Sequence, residues 1–325
     1  MNILIVFNRV IPVKNYGGIQ RAAWWLGKEL VRLGHEVTYL VAKGSYCEFA
    51  DVIFYNPNLN LNDQIPVNTD VVHLYQHPDK SLKKPYLLHM QSNTKEDNYD
   101  INTVFVSRNH AERHHAQCFV HNGVDPDDYG KPDFYNQKKN FHFLAKASWK
   151  VKNVRGAIEL AEKTNNKLDV IGGHRLNFKM GFRFTLDPRI KFHGMIGGEN
   201  KNNILSKSKG MIFPVIWHEP FGIAIIESMY FGCPVFGTPY GSLPEIVDDK
   251  SGVLSNKKNE LIYAIKHSGD FNYKYIHERI MDIFSINKVT KDFLALYEKV
   301  MNNEALNKKN PYFDQSIEER YLKFE

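Results

Sequence analysis

The chain has little cysteine and no long apolar run, and each shortage excludes a class of protein. Three cysteines, Cys47, Cys118 and Cys233, are too scattered and odd in number to frame a disulfide scaffold, and they read as reduced thiols of a cytoplasmic protein. No stretch approaches the ~18 consecutive apolar residues of a membrane-spanning helix. Met1 leads directly into an apolar strand, without the basic lead and apolar core of a signal peptide. The dinucleotide fingerprint G-x-G-x-x-G is missing. So are zinc-finger spacings and any basic–aromatic repeat, which leaves nucleic acid unsupported as a partner.

What is present is enough for two cores: 325 residues, of which 43% are hydrophobic. The net charge of +6 is unevenly spread, about −2 up to Asp133 and about +8 beyond it. A basic second half suits an anionic ligand or an anionic membrane surface.

Asn2–Phe7 is an apolar run fit for a central parallel strand. A loop ending in Tyr16-Gly17-Gly18 follows, then a helix from Ile19 to Leu33 closed by Gly34, then a strand from His35 to Val41. Strand, glycine loop, helix and strand begin a doubly wound α/β domain. Trp24 and Trp25 are adjacent on that helix, so one is expected outside the core, for an acceptor or a partner. Further strands are expected over Asp70–Tyr75, Pro85–Met90, Thr103–Ser107 and from Phe119. His89 falls at a strand end, where α/β sheets line their clefts, and His73 has an analogous place. His110, Glu112, His114 and His115 match no zinc signature, and Asp125-Pro126-Asp127 falls in a turn.

The polar stretch Gly130–Asn140 reads as a linker into a second sheet. Strands are expected at Phe141–Ala145, Leu168–His174, Ile190–Gly197 and Lys209–Val215, with helices at Val154–Lys163, Lys257–Lys266 and Ser285–Val300. The stretch Trp217–Asp248 carries the chemistry. Glu219 and Glu227 have seven residues between them; Pro220-Phe221-Gly222 open a helix that carries Glu227, and Gly232 ends it as a left-handed cap. A helix N-terminus preceded by glycine receives phosphate on its unpaired N–H groups, and carboxylates at this spacing accept paired hydroxyls of a sugar or ribose. A capped amphipathic helix with solvated acids fits the spacing equally well.

This stretch resembles the nucleotide-sugar site of retaining glycosyltransferases of the GT-B fold, glycosyltransferase family 4. The family pattern is two glutamates with seven residues between them, a G-x-P-V strand and a glycine-rich loop ending in Glu. Glu219, Phe221, Gly222, Glu227, Gly232, Pro234, Val235, Gly241 and Glu245 stand at the matching places. Ser242 replaces the loop's usual second glycine, so that loop is expected to be stiffer.

The resemblance implies an α/β fold of two doubly wound, Rossmann-like domains facing across a cleft. Expected boundaries are 1–135 for the acceptor side, 136–300 for the donor side and 301–325 for a tail packing back on the first domain. It implies transfer from a UDP- or GDP-sugar to a glycan, lipid-linked or small-molecule acceptor, in cell-surface polysaccharide or glycoconjugate synthesis, without metal or cofactor.

By the same resemblance Glu219, His89, Lys146 and Lys152 are the catalytic candidates. Gly17, Gly18, Gly172, His193, Gly194, Phe221, Gly222, Ile223 and Glu227 are the substrate-binding ones. Lys146 stands where the family has arginine, exchanging a bidentate fork for a point charge. The resemblance also puts a surface helix around His110, and with no strong nucleophile evident in the first half, front-face attack assisted by the leaving phosphate is favoured over a covalent intermediate. A GT-B epimerase or phosphorylase, a non-catalytic nucleotide-sugar-binding subunit, and peripheral association with the inner face of a membrane stay open.

Overall fold

The computed structural model describes residues 1–13, 17–78, 80–94, 98–135, 138–176, 184–314 and 321–325. Tyr16 of the expected glycine loop, residues 136–137 of the expected linker and residues 315–320 of the expected tail lie outside them.

Two six-stranded sheets, parallel throughout, carry the chain. The first comprises β1 (Asn2–Phe7), β2 (Glu36–Val41), β3 (Asp51–Phe54), β4 (Val71–Leu74), β5 (Tyr86–Met90) and β6 (Thr103–Phe105), in the order β3-β2-β1-β4-β5-β6. The second comprises β7 (Asn140–Leu144), β8 (Leu168–Ile171), β9 (Ile190–Phe192), β10 (Ser208–Phe213), β11 (Val235–Gly237) and β12 (Gly252–Leu254), in the order β12-β11-β10-β7-β8-β9. Counted from its own first strand, each sheet has the same doubly wound 3-2-1-4-5-6 order. The order reverses between β1 and β4 in one and between β7 and β10 in the other, the places where such sheets receive ligands at their carboxyl ends.

The helices are α1 (Gly18–Arg32), α2 (Arg108–Glu112), α3 (Val154–Lys163), α4 (Gly198–Ser206), α5 (Ile223–Tyr230), α6 (Leu243–Ile246), α7 (Lys258–Lys266), α8 (Tyr273–Phe284) and α9 (Ile286–Met301). None of the described helices is long and apolar enough to cross a membrane.

The chain divides into two compact units. Among the described residues the first comprises Met1–Val13, Gly17–Val124 and 284–314, the second Asp125–Ile283 and 321–325. This differs from continuous sequence halves, because α9 belongs to the first unit. Its Phe293 and Tyr297 are buried against the histidines of β4 and β5, and Asn287 donates to Glu29 of α1 at 2.6 Å. Beyond α9, Asn307 donates to the carbonyls of Ile101 and Thr103, and Tyr312 N–H to His114, all within the first unit.

One expectation needs correction. Neither tryptophan of α1 is exposed: Trp25 is in the core, and half-buried Trp24 stacks on Tyr39 and meets Phe49 edge-on. The α2 region is the expected surface helix with one buried face: Arg108 and Glu112 are exposed, while His110 and His114 are buried against Phe105. Aromatic packing accounts for the buried histidines of that run. Among the described residues no group of three His, Cys, Asp or Glu side chains is placed to hold a metal ion.

Candidate active site

The second unit brings its candidates together at the carboxyl ends of β7 and β10. After β7 the chain turns through Lys146–Asn153, and after β10 through Pro214–Gly222. Asn153, left-handed at φ 53°, caps α3 through its side-chain oxygen and donates from Nδ2 to Pro214 O, while Ile216 N–H reaches Val151 O at 2.9 Å. These bonds lock the two turns side by side.

Lys152 and Glu219 face each other across the turns. Lys152 Nζ donates to Glu219 Oε2 at 2.5 Å, and the Trp217 indole N–H donates to the same oxygen at 2.8 Å. Both charged residues are buried, 8% and 5% exposed, so each depends on the other for compensation. The Lys152 ammonium also lies 4.8 Å from the centroid of the Trp217 ring, and the half-buried Lys146 lies 5.3 Å from that of Trp149.

Gly222 caps α5 in the left-handed conformation, φ 83°, as the sequence pattern requires, and leaves the first N–H groups of the helix beside Glu219. Ile223 is half-buried at the helix start, whereas the Phe221 ring is in the core and only its main chain can serve a ligand. Ser242, the departure from the family pattern, donates its hydroxyl to Phe221 O at 2.5 Å and its N–H to Glu219 O at 3.0 Å. The loop is thereby fastened to the motif.

Glu227, one turn into α5, is also buried. Tyr129 Oη and Lys201 Nζ each donate to its Oε1 at 2.6 Å, and Lys201 is itself 3% exposed. Neither partner was foreseen. They lie 98 and 26 residues away in sequence, and no local period relates either to the glutamate.

Gly172, Gly194 and His193 stand at the ends of β8 and β9 as framework. At Gly172, φ +113°, an added Cβ would stand 2.1 Å from Ala145 O, so only glycine lets β8 approach the end of β7. Its N–H donates to Gly194 O at 2.7 Å. His193 Nε2 hydrogen-bonds Asp169 Oδ1 at 2.7 Å, turning the imidazole back along the sheet.

Three candidates belong to the first unit. Gly17 caps α1 and Gly18 is its first residue. His89 is 1% exposed, with Nδ1 3.1 Å from His73 Nε2 and Nε2 3.0 Å from the Gln91 amide nitrogen. His73 Nδ1 reaches Tyr297 Oη at 2.8 Å. Burial holds His73 down at a pKa of about 3; burial and then the neighbouring His73 hold His89 well below the ordinary histidine range. Both imidazoles are neutral at pH 7.

The C-terminal residues close one side of the second unit's site. Leu322 N–H donates to Ile216 O at 2.9 Å, Tyr240 Oη to Lys323 O at 2.7 Å, and Glu325 N–H to Asn256 O at 2.8 Å. These acceptors and donors follow β10, β11 and β12, so the segment crosses three strand ends. Tyr321 supports Lys150, whose ammonium is 4.3 Å from the ring centroid.

The fold has counterparts among known proteins. Residues 133–268 match the family model of glycosyl transferases group 1. A probable sucrose-phosphate synthase of Thermosipho melanesiensis is 34% identical over 102 residues, 30% of this chain and 24% of the relative. The chain matches about a quarter of the length of the curated relatives it resembles. A solved glycosyltransferase involved in avilamycin A biosynthesis shares the fold at a TM-score of 0.75 with 18% identity, over 93% of this chain and 98% of that one. An Anabaena protein solved with UDP and glucose superimposes at 0.63 with 12% identity, over 92% of this chain and 100% of that one. The two doubly wound units are thus those of the GT-B fold.

Proposed function

We propose that the chain, whose residues 133–268 match the glycosyl transferases group 1 family, is a retaining glycosyltransferase using a nucleotide-diphosphate sugar. The observation that carries this reading is the buried Lys152–Glu219 pair beside the Gly222 end of α5, at the reversal point of the second sheet. The diphosphate would take its positive charge from Lys146, Lys152 and the N–H groups of α5, which strengthens as the leaving group gains charge. Glu219 lies beside those cations and would meet the sugar, where positive charge develops. Glu227, further along α5, would hold the ribose hydroxyls.

No resident metal is needed in this scheme, since lysines and a helix end do that work. Gly17, Gly18 and His89 keep their proposed roles as contributions of the first unit. Gly172, His193 and Gly194 are assigned to shaping the strand ends that bound the nucleoside. A UDP- or GDP-sugar as donor, a glycan, lipid-linked or small-molecule acceptor, cell-surface polysaccharide or glycoconjugate synthesis, and a cytoplasmic setting complete the proposal.

The test is nucleotide release from a panel of UDP- and GDP-sugars, with the acceptor product analysed for a new glycosidic linkage of retained configuration. An isomerised donor, a released sugar phosphate, or no turnover of any nucleotide sugar overturns it.

A further inference from the structure

Both motif glutamates are held by the same three-residue device. At Glu219, Lys152 and the Trp217 N–H converge on Oε2, and the lysine rides on the tryptophan ring at 4.8 Å. At Glu227, Lys201 and the Tyr129 hydroxyl converge on Oε1, and the lysine rides on the tyrosine ring at 5.2 Å. In each, one aromatic residue offers its face to the cation and its polar edge to the carboxylate.

The two kinds of donor do different work. An ammonium is a rotating point charge: it keeps the carboxylate ionised and close, but it tolerates many orientations of the carboxylate plane. An indole N–H or phenol O–H on a packed ring is directional, with a sharp angular preference. Burial of both glutamates, each 5% exposed, keeps water from competing for those bonds.

We propose that Trp217 and Tyr129 are positioning residues, Trp217 aiming Glu219 at the sugar and Tyr129 aiming Glu227 at the nucleoside. This rests on the functional reading above. It adds that the two aromatic edges set turnover and donor affinity separately.

Trp217→Phe and Tyr129→Phe test it, because each keeps an aromatic face for its lysine and removes the polar edge, the pyrrole ring with its N–H in one case and the hydroxyl in the other. Trp217→Phe is expected to lower kcat about tenfold with donor KM within about twofold. Tyr129→Phe is expected to raise donor KM about tenfold with kcat within about twofold, and to weaken nucleoside diphosphate in calorimetry by a similar factor. Trp217→Leu and Tyr129→Leu, which also remove the ring faces, should lose more than their Phe counterparts.

Phe variants whose thermal midpoints fall while kcat, KM and diphosphate affinity per folded molecule stay at wild-type values overturn the proposal, since the aromatic edges would then be structural only. Equal loss in the same parameter by both overturns the division of labour. A wild-type protein that turns over no nucleotide sugar overturns the underlying reading instead. Calorimetry with UDP and GDP then still decides Tyr129: weaker binding by Tyr129→Phe upholds its role, and unchanged or absent binding removes it.

Discussion

Gly241 lies so close to the main chain of Glu219 that a Cβ at position 241 would stand 2.2 Å from the Glu219 oxygen and 2.3 Å from its nitrogen. The obstacle is backbone, which cannot swing aside as a side chain could. Gly241→Ala must therefore move the segment that aims Glu219. Gly44→Ala is the control: its φ is +97°, but nothing lies within 4 Å of the added atom, so it carries only the left-handed strain of roughly 1 kcal/mol. Both variants carry the left-handed strain, and Gly241→Ala carries the backbone clash in addition. Only Gly241→Ala should lose turnover, by about tenfold or more, and equal activity in the two would show that Glu219 need not be held where it is.

Lys152 and Glu219 are a buried pair, so deleting one charge strands the other. Lys152→Met should destabilise the fold by about 3 kcal/mol, and adding Glu219→Gln should recover much of that loss. Urea titrations of the wild type, both singles and the double variant measure the coupling. The ligand side separates a phosphate contact from general damage. Lys152→Met should weaken a nucleoside diphosphate far more than the nucleoside, and equal losses for the two would place Lys152 away from the phosphates.

The glutamates themselves should fail differently. Glu219→Gln, beside the diphosphate-binding turn, should lower kcat with donor KM little changed. Glu227→Gln removes a contact to hydroxyls that do not change as the glycosidic bond breaks, so it should raise donor KM with kcat little changed. Steady-state kinetics with varied donor would reverse the two assignments if the losses exchange places.

How much of this was legible follows from the range of each interaction. The β1 and β10 runs, the glycine cap at Gly222, the left-handed stop at Gly232 (φ +79°) and the turn at Asp125 are local, and the chain announces them in neighbouring residues. Edge strand β3, with its largely exposed Asp51–Phe54, lacks the apolar alternation that marks a strand, and it escaped. Polar α4 had no apolar period to read. Helix α8 did have one: Ile276, Ile280 and Phe284 recur every fourth residue and are fully buried, a signal that could have been used. Tyr129 and Lys201 could not be found this way, because a hydroxyl meeting a carboxylate 98 residues later leaves no period. The same holds for His193, whose ring is claimed by Asp169 across a strand pair.

The buried histidines make the protein sensitive to acid in a direction that can be worked out. His73 in the first unit and His142 in the second both have pKa values held down to about 3, by burial in each case. In the unfolded chain they return to about 6.5. Between those values the unfolded state binds protons that the folded state refuses, so stability falls as pH falls. The contribution is complete above the unfolded pKa and drains away from about pH 6.5 downward, on the order of 1 kcal/mol per pH unit for each such histidine. His89 and His110 are pushed the same way in the first unit, by burial above all, which makes that unit the steeper of the two. His142 is sealed between the Ser208 and Ser228 hydroxyls, at 2.6 and 2.8 Å. Thermal midpoints followed from pH 7.5 to 4.5 should fall progressively. Hydrogen exchange over the same range should show the β4 and β5 amides losing protection before those of β7 and β10. A midpoint that stays level from pH 6.5 to 5, or β7 opening first, would mean that these imidazoles are not buried neutral in the folded protein.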